Sequence, residues 1–317
     1  MRPSLTTAGV PAVGAALWAA RHVSAPTVRH WSRSTAPTAT AGLLRVRHVG
    51  TGASATVLLH GIVGCGDYFG AAYDSLAHDR RLVVPDLLGF GDSYRARSTA
   101  GYGLDAHLDA LDEMATARQL SGALTVVGHS MGAVLALHWA ARRRTQVERV
   151  IALSAPLYLS TEEGLSRVRD MGLLEAAMAL DTPLARATCG WMCRHRATAS
   201  WVATALKPHL PVTVARRGVL HTWPAYLAAM QDIVLGSPWP AALSALTEAG
   251  IPILFAAGGR DPVPVPGRID GLIADHPTVS SATHPTAGHD LPLAQPAWCR
   301  ALIDGDTDRV GPAPAAG

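Results

Sequence analysis

Short apolar runs alternate with longer segments of helical spacing from residue 43 to residue 156, the pattern of a parallel sheet covered by helices. Residues 43–49 read as an early strand. Residues 55–59, 82–84, 124–127 and 150–153 are brief, continuous apolar runs ending at turn residues, as expected of strands buried on both faces. Residues 104–120 and 131–142 carry helical spacing, the second rich in Ala and Leu. The run 150–153 is broken by Ala155-Pro156.

Beyond Pro156 the character changes. Ser160-Thr161-Glu162-Glu163 is a capping box, which predicts a helix running through Arg167 and Met171 towards Leu180. Further helical stretches fall at 201–206 and 226–235, with breaks at Pro208, Pro211 and Pro238. The strand pattern resumes at 253–257, and a weaker strand falls near 278–283. An all-helical insertion between two strands of one sheet predicts a cap. The expected division is a leader over 1–42, a core over 43–156 and 248–303, a helical cap over 157–247 and a disordered tail over 304–317, which is polar and contains Pro and Gly.

Composition narrows the classes. Hydrophobic residues make up 49% of the 317 and charged residues only 16%, enough apolar material for a packed core. The formal net charge of +3 is dispersed rather than gathered in basic runs, which argues against nucleic acid as a partner. Every basic residue except Lys207 is Arg, a coding bias that points to a bacterial source. No stretch reaches the roughly 20 apolar residues of a membrane span. The leader has Arg2, a small-residue run and Val23-Ser24-Ala25 resembling a cleavage site, but Pro11 and Gly14 weaken the run and Arg21 and His22 follow it. The expectation is a cytoplasmic protein, with secretion the minority reading, as a monomer or homodimer acting on a small molecule. The four cysteines are too scattered for a disulfide framework. Cys189, Cys193 and His195 lack the paired spacing of a zinc site, so neither metal nor another cofactor is expected.

The candidate chemistry centres on Gly128-His129-Ser130-Met131-Gly132, directly after one strand and directly before a helix. A turn that tight needs residues without bulk around the serine, and it lifts the hydroxyl above the sheet, where the free N–H groups of the helix start converge. A serine hydroxyl needs a positioned base. Among the 14 histidines, His289 in Gly288-His289-Asp290-Leu291-Pro292 follows the last predicted strand and satisfies the order serine, acid, histidine. His129 is read as structural, its side chain turned away. The acid that orients the base is Asp261, just past 253–257, because the end of the preceding strand offers Ser154-Ala155-Pro156 and no carboxylate. Oxyanion donors are expected at the backbone N–H of Met131 and at Ile62, with Val63 the alternative, in His60-Gly61-Ile62-Val63-Gly64.

These motifs, with Pro85-Asp86-Leu87-Leu88-Gly89-Phe90-Gly91-Asp92-Ser93 between them, resemble the α/β-hydrolase family over residues 43–303. The resemblance implies a doubly wound, mostly parallel eight-stranded α/β sheet with a helical cap over the site. Serine at the nucleophile position argues against the family's dehalogenases and usual epoxide hydrolases, which use Asp. It implies acyl transfer on an ester or thioester of an apolar acyl or aromatic substrate. Carbon–carbon bond hydrolysis, lyase or cyclase chemistry with the same residues is the alternative, and a non-catalytic ligand-binding protein is less favoured. His60, Gly61, Val63, Tyr68, Phe69, Trp191 and Trp223 are the candidate pocket residues.

Overall fold

The computed structural model describes residue 19 and residues 26–98, 101–171 and 181–306. The residues resembling a cleavage site, the far end of the helix expected towards Leu180 and nearly all of the expected tail lie outside the described residues.

The apolar runs do form a buried sheet. Its strands are β1 (Thr38–Ala41), β2 (Leu44–Val49), β3 (Ala55–Leu59), β4 (Arg81–Asp86), β5 (Leu124–His129), β6 (Val147–Leu153), β7 (Ile253–Gly258) and β8 (Val279–His284). Their order is β1-β2-β4-β3-β5-β6-β7-β8; β2 runs antiparallel to both its neighbours, and the pairs from β4 onward are parallel. The central strands β3 and β5 are buried along their whole length. Alternate residues face opposite layers: Val57 and Leu59 join the core on one face, Leu58 and Val127 the core on the other. On the first face lie α1 (Leu104–Ala117) and α2 (Met131–Arg142). Because β4 and β5 leave β3 in opposite directions, the carboxyl ends of β3 and β5 flank the crevice where open α/β sheets bind ligands.

Between β6 and β7 come α3 (Thr161–Met171), α4 (Pro183–Arg194), α5 (Arg196–Leu206), α6 (Val212–Arg217), α7 (Trp223–Ala228) with a π-helical continuation over Ala229–Leu235, and α8 (Trp239–Glu248). The capping box holds: Ser160 Oγ accepts from Glu163 N–H at 3.1 Å. After β7 and β8 follow α9 (Arg268–Asp275), α10 (Leu291–Ala294) and α11 (Pro296–Asp304).

Four boundaries differ from the sequence reading. Residues 38–41, assigned to the leader, form β1; three of its four residues are exposed, so the strand has no apolar signature and is held by its pairing with β2. Strand β4 continues through Pro85, which is tolerated because the parallel ladder to β3 ends at Val83. Helix α1 stops at Ala117, and Gln119 turns the chain at φ 52° with no glycine to announce it. Helix α8, assigned to the cap, packs against α2 and belongs to the layer that covers the sheet. The insertion is therefore shorter than expected. Its two crossings are tied together, with Trp239 Nε1 donating to the Tyr158 carbonyl at 2.7 Å.

Candidate active site

The turn after β5 shows why its glycines are there. A Cβ on Gly128 would stand 1.9 Å from the Gly132 carbonyl oxygen, and one on Gly132 would stand 2.2 Å from that of Leu59. Ser130 between them sits at φ 54° and ψ −121°, a conformation that costs a non-glycine residue of order 1–3 kcal/mol. Its N–H donates to the Leu153 carbonyl at 2.9 Å, which fastens the turn to β6.

The three residues read from the sequence meet. Ser130 Oγ lies 3.1 Å from His289 Nε2, and His289 Nδ1 lies 3.0 and 3.1 Å from the two carboxylate oxygens of Asp261. The Asp261 side chain is fully buried and also accepts from Val263 N–H at 2.9 Å. Burial works to raise its carboxyl pKa, but the hydrogen bond and charge of His289 outweigh that and leave it below the ordinary value. His289 shows the converse balance. Burial works to lower its pKa, yet Asp261 and then Asp290 carry it above 6.5. The loops carrying Asp261 and His289 are stitched to each other, with Gly259 N–H donating to His284 O and Arg260 N–H to Ala287 O.

The loop after β3 closes beside them. Gly64 N–H donates to Gly61 O at 3.1 Å, and Val63 takes φ 58°. A β-branched residue in that region is strained, so the turn is held by its surroundings. Gly61 is the close-approach position: a Cβ there would come within 3.1 Å of the Ser130 Cβ. Met131 is the first residue of α2, where a backbone N–H has no acceptor within the helix.

The candidate pocket residues separate. His60 has no exposed surface; Leu87 N–H donates to its Nε2 at 2.9 Å and its Nδ1–H donates to Gly61 O at 2.7 Å. This corrects the expectation that it lines the pocket, since both nitrogens are spent bracing the turn. Phe69 is buried in the core edge-on to Tyr73. Tyr68 is also buried, and its hydroxyl donates to Asp290 at 3.1 Å. Trp223 is half-buried against Tyr226, and Val63 is exposed at the turn. Trp191 is on the outside of α4, its ring 5.5 Å from His195.

Several supports were not legible in the sequence. His129 does not turn away from the site: its Nε2–H donates to the His289 carbonyl at 2.8 Å and its ring stacks on Tyr68 at 5.0 Å. Asp290 faces His209 of the insertion at 3.3 Å. Burial works to raise its pKa, but the His209 hydrogen bond and the nearby His289 and His129 bring it down to about 2, so it stays a carboxylate beside His289. Replacing it by Asn removes one of the charges that raise His289. The acid limb of any Ser130-dependent rate is then expected to move down in pH, read from kcat/KM profiles of the two proteins.

The insertion is fixed to the core by Arg217 at the end of α6. Its guanidinium reaches Asp67 at 3.1 Å, Asp86 at 3.0 Å and Asp92 at 2.9 Å. Asp86 is buried and also accepts from Gly66 N–H and Asp92 N–H. Arg217→Met leaves that carboxylate without its cation, so a loss of about 3 kcal/mol is expected in guanidinium unfolding. An unchanged midpoint would mean that the ion cluster contributes nothing to stability.

Among the described residues, no group of three or more His, Cys, Asp or Glu is placed to hold a metal, and no helix is long and apolar enough to cross a membrane. Cys193 Sγ instead donates to the His221 carbonyl.

The sheet, the turn at Ser130 and the order of the three residues are those of the α/β-hydrolase fold. The family model for the alpha/beta hydrolase fold matches residues 56–289, and the chain belongs to that family. It is 25% identical over 235 residues to a probable lysophospholipase, BODYGUARD 4, of Arabidopsis thaliana, covering 68% of this chain and 54% of that protein. It is 33% identical over 164 residues to the lipase LipV of Mycobacterium tuberculosis, covering 50% and 56%. The chain thus matches about half the length of these relatives. Among solved structures it resembles E-2-(acetamidomethylene)succinate hydrolase, with TM-score 0.64, 17% identity and coverage of 86% and 99%. A bromoperoxidase from Bacillus anthracis gives TM-score 0.63, 19% identity and coverage of 86% and 100%.

Proposed function

We propose that the chain is a serine hydrolase that cleaves an ester or thioester of an apolar acyl or aromatic substrate through an acyl-enzyme. The observation that carries this reading is the continuous relay from Ser130 Oγ through His289 to Asp261, with the serine held in a strained turn. In this reading Asp261 holds the proton on His289 Nδ1, which leaves Nε2 free to take the Ser130 hydroxyl proton as Oγ attacks the carbonyl carbon. The oxyanion receives hydrogen bonds from the N–H groups of Met131 and Ile62. His289 then passes its proton to the leaving alcohol or thiol, and water releases the acid by the same steps in reverse order of roles.

The apolar preference rests on the helical insertion, read as a cap, in which His221 pairs with Phe90 of the loop after β4 and its ring meets Tyr226, which in turn meets Trp223. The names of the lipase and lysophospholipase relatives point the same way. Incubation with a fluorophosphonate is expected to add one phosphonyl group, mapped by mass to Ser130 and absent in Ser130→Ala. A folded protein that stays unlabelled, yet turns over a substrate lacking an ester, would replace this reading with lyase or cyclase chemistry. A chain-length series of nitrophenyl esters then ranks the acyl groups.

A further inference from the structure

Helix α5 is built inside out. Its buried side presents Ala199, Ser200 and Thr204, while Trp201, Val202 and Leu206 are 53%, 44% and 61% exposed. The two buried hydroxyls donate within the helix, Ser200 to Ala197 O and Thr204 to Trp201 O, and Ser200 Oγ also accepts from Arg216 Nε at 3.3 Å. A helix stabilised only by the protein interior would point its large apolar residues inward. Helix α4, joined to α5 at His195, adds Leu184 at 73% and Trp191 at 40%, seven residues apart and so on one side of the helix.

Charge says what this face fits. From Thr182 to Gln231 the sequence has no Asp or Glu, but it carries Arg186, Arg194, Arg196, Lys207, Arg216 and Arg217. Arg217 is spent on the acid cluster beneath, Arg186 on Asp181 and Arg196 on backbone carbonyls. Arg194 and Arg216 are exposed beside the apolar stripe, and the Arg216 guanidinium lies 4.5 Å from the centre of the Trp201 ring. Tryptophan flanked by arginine, with aliphatic residues alongside and no carboxylate on either helix, is suited to the boundary of a membrane with negatively charged headgroups.

We propose that the outer face of α4 and α5 docks on an anionic lipid surface, Trp201, Val202 and Leu206 entering the headgroup layer while Arg194 and Arg216 meet the phosphates. Trp201, Val202, Leu206, Arg194 and Arg216 take no part in the chemistry proposed at Ser130, so docking does not depend on it.

The test is co-sedimentation of the full chain with phosphatidylcholine vesicles prepared with and without phosphatidylglycerol. Binding is expected only to the anionic vesicles, with a blue shift of tryptophan emission and progressive release by salt. Trp201→Ser combined with Leu206→Ser is expected to weaken it about tenfold or more. Arg194→Gln combined with Arg216→Gln should do the same. Ser130→Ala is expected to bind as the unaltered chain does, and both surface variants to keep their rate on a soluble short-chain ester. Absence of binding, equal binding to neutral vesicles, or binding that both surface variants retain would overturn the proposal. So would a dimer in sedimentation velocity that the Trp201 and Leu206 pair dissolves, since the face would then be covered by a second copy.

Discussion

Asp261→Asn is expected to lower kcat on an activated ester about ten-thousandfold at neutral pH without unfolding the protein. The two side chains have nearly the same shape, and an amide oxygen can still accept from Val263 N–H, so the loop keeps its anchor. What changes is the proton on His289. With a carboxylate opposite, Nδ1 must be the donor and Nε2 the free base facing Ser130 at 3.1 Å. An Asn amide turned to donate towards Nδ1 moves the imidazole proton to Nε2, where it can no longer accept from the hydroxyl. The charge that stabilises the protonated ring in the transition state is lost as well. Steady-state kinetics with circular dichroism as the folding control decides the matter. A loss below about tenfold would show that Asp261 is not the group that orients the base.

A second large effect is expected on stability in mild acid. His60, His107, His129 and His221 are all buried, and burial is the main cause holding the first at about 3 and the other three at about 4, against 6.5 for a free histidine. Between those values and 6.5 the unfolded chain binds protons that the folded chain refuses. Their contribution is complete above 6.5 and is lost as the pH falls below it. Four such groups give a slope approaching about 5 kcal/mol per pH unit in the middle of that window. A domain with ordinary stability would then unfold well before its carboxylates titrate. Guanidinium midpoints measured from neutral pH down to about 5 should fall steeply, and calorimetry in buffers of different ionisation enthalpy should show three to four protons taken up on unfolding. A flat profile would mean that the four rings reach solvent in the native state.

What the sequence disclosed and what it withheld follow from how far each signal reaches along the chain. Gly128, Ser130 and Gly132 were readable because strand, turn and helix are consecutive and the steric need for small residues is local. Asp261 was readable because it lies three residues past the end of β7 and the end of β6 offers no rival carboxylate. His129 was misread because its direction is set by the path of the chain through Ser130 at φ 54°, which residue types alone do not reveal. Val63 at φ 58° was hidden for the same reason: nothing about a valine announces a left-handed turn. Strand β1 escaped because an edge strand with three exposed residues lacks a hydrophobic rhythm. Helix α8 was given to the cap because its spacing says only that one side is buried, while its partner, α2, lies far away in sequence. Asp290 and Arg217 owe their roles to partners from distant segments, which no periodicity encodes.

The hydrogen bond from Trp239 to the Tyr158 carbonyl has a bearing on how such a molecule can diversify. The chain leaves β6 and returns towards β7 through two points already joined to each other, and Tyr158 is tied in turn to the Val263 carbonyl next to Asp261. The frame that aligns Ser130, Asp261 and His289 is thus closed at the base of the insertion. Where Arg217 and His209 keep their partners, changing the length of the other intervening helices adds only a slowly growing loop entropy. The shape of the insertion can then drift while the alignment of Ser130, His289 and Asp261 is inherited unchanged.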